Sequence, residues 1–225
     1  MSFAIPDGLA PETYPLSWLL GTWRGPGFLG YPDIPERPIL VELTFTSDGG
    51  PYLAYTSTTW NLDGELDSLE GDVDVAALRP GQVWATESGF WRAVPKAPDD
   101  ASALTDAPAA DPAPDAPAAG PAPDAPGAPR TGANASSTAA PPPSATEIEV
   151  LLAEPSGHVS VYLGVVQGPR IELATDLVAR TASGAEVSAA ARMYGLVRGE
   201  LMWATDMAAF GHEMQSYSSG RLQRQ

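Results

Sequence analysis

Alternation of side-chain character constrains this chain more than any other feature. Val159, Val161, Leu163 and Val165 alternate with His158, Ser160, Tyr162 and Gly164. Ala189, Ala191, Met193 and Gly195 alternate with Ala190, Arg192, Tyr194 and Leu196. Leu201, Trp203, Thr205 and Met207 alternate with Met202, Ala204 and Asp206. A period of two signals strands with two distinct faces. Turn residues separate the runs: Asp48-Gly49-Gly50, Pro155-Ser156-Gly157, Gln167-Gly168, Ser183-Gly184 and Arg198-Gly199. Further strands fit residues 39–46, 52–60, 82–93, 147–153 and 169–178, and one short helix fits Pro11 to Leu20. About ten strands joined by short hairpins predict an all-β fold. The expected architecture is a single up-and-down antiparallel β-barrel, calycin- or lipocalin-like, with a short N-terminal helix. Such barrels usually keep an internal cavity for one ligand.

The pattern breaks from about Pro95 to Ala145, which is almost entirely Ala, Pro, Asp, Gly, Ser and Thr. Within it, AADPAPDAP (Ala109 to Pro117) is followed by AAGPAPDAP (Ala118 to Pro126). With no aromatic residue and Leu104 as its only large aliphatic, it cannot offset its ordering entropy by burial. Residues 95–145 are therefore expected to be a disordered insertion within one domain spanning residues 1–225. Loop-closure costs grow only slowly with length, so one interrupted barrel is simpler than two domains.

The chain carries 12 Lys+Arg against 28 Asp+Glu, a formal charge of −16. It would repel phosphate backbones and anionic membrane surfaces, which argues against nucleic-acid and membrane partners. No window holds ~18 continuous apolar residues. The N-terminus lacks the basic and apolar regions of a signal peptide, so a cytoplasmic location is expected. There is no cysteine, which removes disulfides, thiolate metal sites and a cysteine nucleophile.

Gly21-Thr22-Trp23-Arg24-Gly25-Pro26-Gly27 reads GxWxGxG. Gly21, Gly25 and Gly27 let a first strand bend or another backbone approach closely, and Trp23 would fill one barrel end. The motif is not a phosphate loop, because it lacks the Lys-Ser/Thr ending and the strand-to-helix setting. If the barrel closes, the chain ends become neighbours, and Trp23 can stack under Arg221 or Arg224.

Leu16 to Pro32, LSWLLGTWRGPGFLGYP, resembles the opening of the nitrobindin family. Further blocks follow in family order: PYLAYTSTTW (51–60), ESGFWR (87–92), VLLAEPSG (150–157) and MAAFGHEMQSYSSGRLQR (207–224). The resemblance covers the parts on both sides of the insertion. It implies a ten-stranded barrel holding heme b, with ferric iron ligated by one histidine near the C-terminus. That histidine lies in a stretch similar to A-V-G-x-x-x-x-x-H-L-x-A-R-L-x-R. Laid on Ala209-Phe210-Gly211, its position falls on Tyr217. A second departure is Asp33 in Tyr31-Pro32-Asp33-Ile34, where family members usually carry a heme-contact threonine. A carboxylate beside an apolar cofactor is costly unless paired or wet.

Neither histidine compensates. His212 is expected in a hairpin connection at a barrel end, and His158 lies opposite the Val159/Val161/Leu163/Val165 row. Either could reach iron only by a change of register. The leading expectation is a nitrobindin-like barrel without histidine-ligated heme, without a cofactor and non-enzymatic, with a small apolar molecule as the ligand. A homodimer is compatible with such a barrel. The alternative is a ferric heme protein using Tyr217 as axial ligand, binding nitric oxide or isomerising peroxynitrite to nitrate. It would need Tyr217 to ionise from a reference pKa near ~10. A lipid carrier would require a large, apolar, open cavity.

Overall fold

Ten strands close into an antiparallel barrel in the computed structural model, which describes residues 8–64, 66, 68–69, 71, 73–94 and 145–225. They are β1 (Gly21–Tyr31), β2 (Ile34–Thr46), β3 (Leu53–Asp63), β4 (Arg79–Ala93), β5 (Thr146–Glu154), β6 (His158–Gln167), β7 (Arg170–Arg180), β8 (Val187–Val197), β9 (Glu200–Ala209) and β10 (Gln215–Arg224). Each pairs with its sequence neighbours, and β1 pairs with β10 to close the ring. This is the up-and-down order expected from the alternation and the turns. Residues 95–144 of the expected disordered insertion, its repeat among them, fall outside the described residues.

Closure depends on the glycines of the first strand. A Cβ on Gly25 would stand 2.3 Å from the Arg221 carbonyl oxygen, and one on Gly27 would stand 2.5 Å from that of Ser219. Only glycine permits β1 and β10 to approach this closely. The β1–β10 pairing lapses at Gly25 and Pro26, where proline has no N–H to give.

One barrel end is plugged by a 3₁₀ helix, Pro11–Leu19, which starts on a proline and holds Pro15 inside. Leu16 and Leu19 are fully buried and Trp18 nearly so. Trp23 Nε1 donates to the Leu19 carbonyl at 2.7 Å. The Arg224 guanidinium donates to the carbonyls of Trp18 and Leu20 and lies 4.2 Å from the Trp23 ring centroid. One cation therefore satisfies carbonyls at the helix end and covers an aromatic face. Arg221 does not share this role; it reaches Glu200 and the Gly71 carbonyl. Beneath the plug, Phe45, Tyr55, Trp91 and Tyr194 form a ring cluster with centroid separations of 4.9 to 5.7 Å.

Strand β6 turns much of its apolar row outward. Val159 and Leu163 point outward, 49% and 47% exposed, while His158, Ser160 and Tyr162 face the interior. The inward polar groups are tolerated because several find partners there, as His158 does with Glu154 and Tyr162 with Arg192. Phe90, Leu151 and Leu177 continue this apolar outer face across β4, β5 and β7. No helix among the described residues is long and apolar enough to cross a membrane.

Candidate functional site

The other end of the barrel carries the β1–β2, β5–β6, β7–β8 and β9–β10 connections. Inside it lies a cavity of about 100 Å³, walled chiefly by Trp84, Glu87, Arg192, Tyr194, Trp203 and Tyr217. Ser57, Thr59, Thr205 and Ser218 add hydroxyls to the lining.

Its floor is an ion pair. In β4, Glu87 falls in the same phase as Trp91; in β8, Arg192 falls in the phase of Tyr194. Arg192 Nη1 and Nη2 donate to Glu87 Oε1 and Oε2, each at 2.7 Å. The two side chains are only 10% and 11% exposed. The Tyr55 hydroxyl donates to Glu87 Oε1 at 2.7 Å, and Arg192 Nε donates to the Tyr162 oxygen at 3.2 Å. Burial pushes the Glu87 carboxyl up, but the Arg192 guanidinium outweighs it and holds the carboxyl below its ordinary value of 4.5. Both members stay charged, which a buried pair requires to be worth its desolvation.

Above the pair stands Tyr217, placed by an irregularity in β10. Ser216 pairs with Asp206 and Ser218 with Thr205, so Tyr217 is the extra residue of a bulge. A bulge re-aims side chains, and here both Tyr217 and its neighbour Ser218 line the cavity. Trp84 Nε1 donates to the Tyr217 oxygen at 2.8 Å. The Arg37 guanidinium lies 5.0 Å from the Trp84 ring centroid. Tyr31 meets Tyr217 edge-on at 6.1 Å. Tyr31 is itself fixed, accepting from Ala209 N at 2.9 Å and donating to the Met207 carbonyl at 3.0 Å. Burial pushes the Tyr217 phenol above its ordinary value of 10; the Trp84 hydrogen bond opposes this and the Glu154 charge adds to it. At neutral pH the phenol keeps its proton.

The sequence-derived residues divide into three places. Tyr217 lines the cavity. Asp33 does not: its carboxylate is 83% exposed, 3.3 Å from His212 Nε2. Tyr31 stands between, with its ring 5.7 Å from that of His212. Asp33 is thus both paired and wet. Gly21 and Trp23 serve the plugged end, and Gly25 and Gly27 the β1–β10 seam. His158 is buried, 3.0 Å from Glu154 and 3.1 Å from the Ser156 hydroxyl. It is a satisfied histidine and does not line the cavity. Glu87, Arg192 and Trp84 were not singled out by the sequence. Their signal was a lone acid and a lone base, each in the inward phase of a strand.

The residues around this cavity offer heme b no histidine ligand. An apolar cavity of ~150 Å³ accommodates benzene, and a porphyrin is several times larger. The space here is about 100 Å³, and no histidine lines it. The Tyr217 phenol oxygen holds its proton and already accepts a hydrogen bond.

The comparisons with known proteins agree with the fold. The model of the THAP4-like, heme-binding β-barrel domain matches residues 12–224. A protein of Beutenbergia cavernae named ferric nitrobindin-like protein is 62% identical, across 100% of this chain and 99% of its own length. One of the same name from Kineococcus radiotolerans is 40% identical, across 93% and 91%. A protein of Leifsonia xyli named peroxynitrite isomerase is 37% identical, across 97% and 96%. The crystal structure of Rv2717c from M. tuberculosis superposes with a TM-score of 0.60 at 25% identity, covering 96% of this chain and 99% of that one. A closed ten-stranded barrel, a family match over almost its whole length and these relatives place the chain in the THAP4-like heme-binding β-barrel family, the nitrobindins.

Proposed function

We propose that this barrel is a non-enzymatic nitrobindin relative that has lost histidine-ligated heme and keeps a chamber for one small ligand. The Trp84–Tyr217 hydrogen bond carries this reading. Laid on the family's C-terminal stretch, Tyr217 takes the position of the ligating histidine. It offers the chamber a protonated hydroxyl already engaged by an indole N–H.

The competing reading is a ferric heme bound by Tyr217 phenolate, with the chemistry for which the peroxynitrite isomerases among its relatives are named. It asks Tyr217 to ionise where burial and the Glu154 charge both hold its proton. It also asks a chamber of about 100 Å³ to open around a macrocycle. A long-chain lipid meets the same limit of size, and the Glu87–Arg192 floor would meet its chain with charge.

Titrating the purified protein with hemin tests the proposal. Unsaturated, non-stoichiometric absorbance changes are expected. A sharp Soret band saturating at about one heme per chain would overturn it.

A further inference from the structure

The chamber's hydrogen-bonding groups are arranged with a direction. Trp84 Nε1 gives its proton to the Tyr217 oxygen, so that oxygen acts as acceptor on the indole side. The phenol's own O–H then has no acceptor among the described residues, although Tyr217 lines the cavity. Three of the five Arg192 N–H groups are spent on the protein, two on Glu87 and one on Tyr162. The carboxylate oxygens of Glu87 are likewise both engaged. The Tyr217 hydroxyl is thus a donor of fixed direction above a neutralised floor, beside the lining hydroxyls of Ser57, Thr59, Thr205 and Ser218 and the buried Trp203 indole N–H.

Size and charge narrow what that donor meets. The space of about 100 Å³ is smaller than the ~150 Å³ that takes benzene, which leaves room for about four or five non-hydrogen atoms. Glu154 also lines the cavity, with His158 and the Ser156 hydroxyl as its partners, so carboxylates outnumber permanent cations there. An anion would be repelled, the more so in a chain of net charge −16. The walls of Trp84, Tyr194, Trp203 and Tyr217 favour an apolar body.

We infer that the chamber binds a small uncharged molecule bearing a carbonyl-type oxygen, which takes its hydrogen bond from the Tyr217 hydroxyl. Trp84 is the positioning residue that turns this O–H toward the ligand. The inference rests on the proposed loss of heme and adds the chemical class of the occupant.

Two probes of one shape isolate the hydrogen bond: cyclobutanone and methylenecyclobutane, which lacks the oxygen. Each is titrated into the full chain and into Tyr217→Phe, following the Trp84 indole N–H resonance. Cyclobutanone should bind saturably, and Tyr217→Phe should weaken it about three- to tenfold relative to methylenecyclobutane, the span of one neutral hydrogen bond. In the unchanged protein, the ketone's C=O stretch should move to lower frequency on binding, a readout that does not depend on the variant folding. An unshifted C=O band, an unchanged probe ratio in Tyr217→Phe, tighter binding of acetate than of the ketone, or no saturable binding because the space holds water alone would each overturn the inference. Failure of these probes without a stoichiometric Soret band removes only the ligand class. A stoichiometric Soret band removes the reading beneath it.

Discussion

The two ends of this barrel solve the same problem differently. At the plugged end, the interior is filled by apolar bulk: Leu16, Leu19, Trp23, Phe45 and Trp91 are all essentially unexposed. Arg224 seals the edge from outside by meeting the helix carbonyls. At the hairpin end, the interior holds a bidentate ion pair, hydrogen-bonded tyrosines and a residual cavity. Apolar packing is non-directional and tolerates small displacements, whereas each hydrogen bond at the other end fixes an orientation. The first end anchors the fold, and the second orients groups toward a space. A sequence can exchange ligand chemistry at one end without disturbing closure at the other.

Substitutions at each end can break that contrast. Trp91→Ala should have the largest effect, costing about 4 kcal/mol in urea denaturation by leaving a large void in the ring cluster. A loss below about 1 kcal/mol would mean that the plugged end is not the anchor. Glu87→Gln should cost about 3 kcal/mol, because it strands a buried guanidinium. Combining it with Arg192→Met should restore part of that loss, and additive losses would show that the pair is not coupled.

The same pair sets an acid limit. The folded Glu87 carboxyl lies below its ordinary value of 4.5, held there by Arg192 against the upward push of burial. Its contribution is therefore fully present above pH 4.5 and is lost as the pH falls through the folded value. Thermal melts should fall more steeply below that pH for the native chain than for Glu87→Gln, and parallel slopes would count against the assignment. Arg224→Met should cost about 1 kcal/mol, the scale of one cation–π contact, and should leave the Trp84 indole resonance unmoved. Tyr217→Phe should change stability least, by under about 1 kcal/mol, while shifting that resonance strongly. The contrast would sharpen if the two variants separated this cleanly.

Much of the barrel was legible because alternation and turn residues are local properties. The strand sequence, the N-terminal helix and the Trp23–Arg224 contact follow from them once the ring closes. The facing of β6 was not legible. Its apolar phase looks like a core face, yet Val159 and Leu163 are outside, because the polar phase finds internal partners on other strands. Glu87 and Arg192 lie 105 residues apart, so no local pattern joins them. The bulge that aims Tyr217 is a property of the β9–β10 register, and one strand's sequence does not encode it. Asp33, expected at a heme-contact position, is carried by its turn into solvent beside His212.

Heme content of the native chain decides whether Tyr217 ligates iron. The protein and Tyr217→Phe are produced side by side in heme-replete cells, and heme per chain is read from the absorbance of the purified material. Far less than one heme per chain is expected in both, with no difference between them. About one heme per chain in the native protein, lost in Tyr217→Phe, would contradict that expectation.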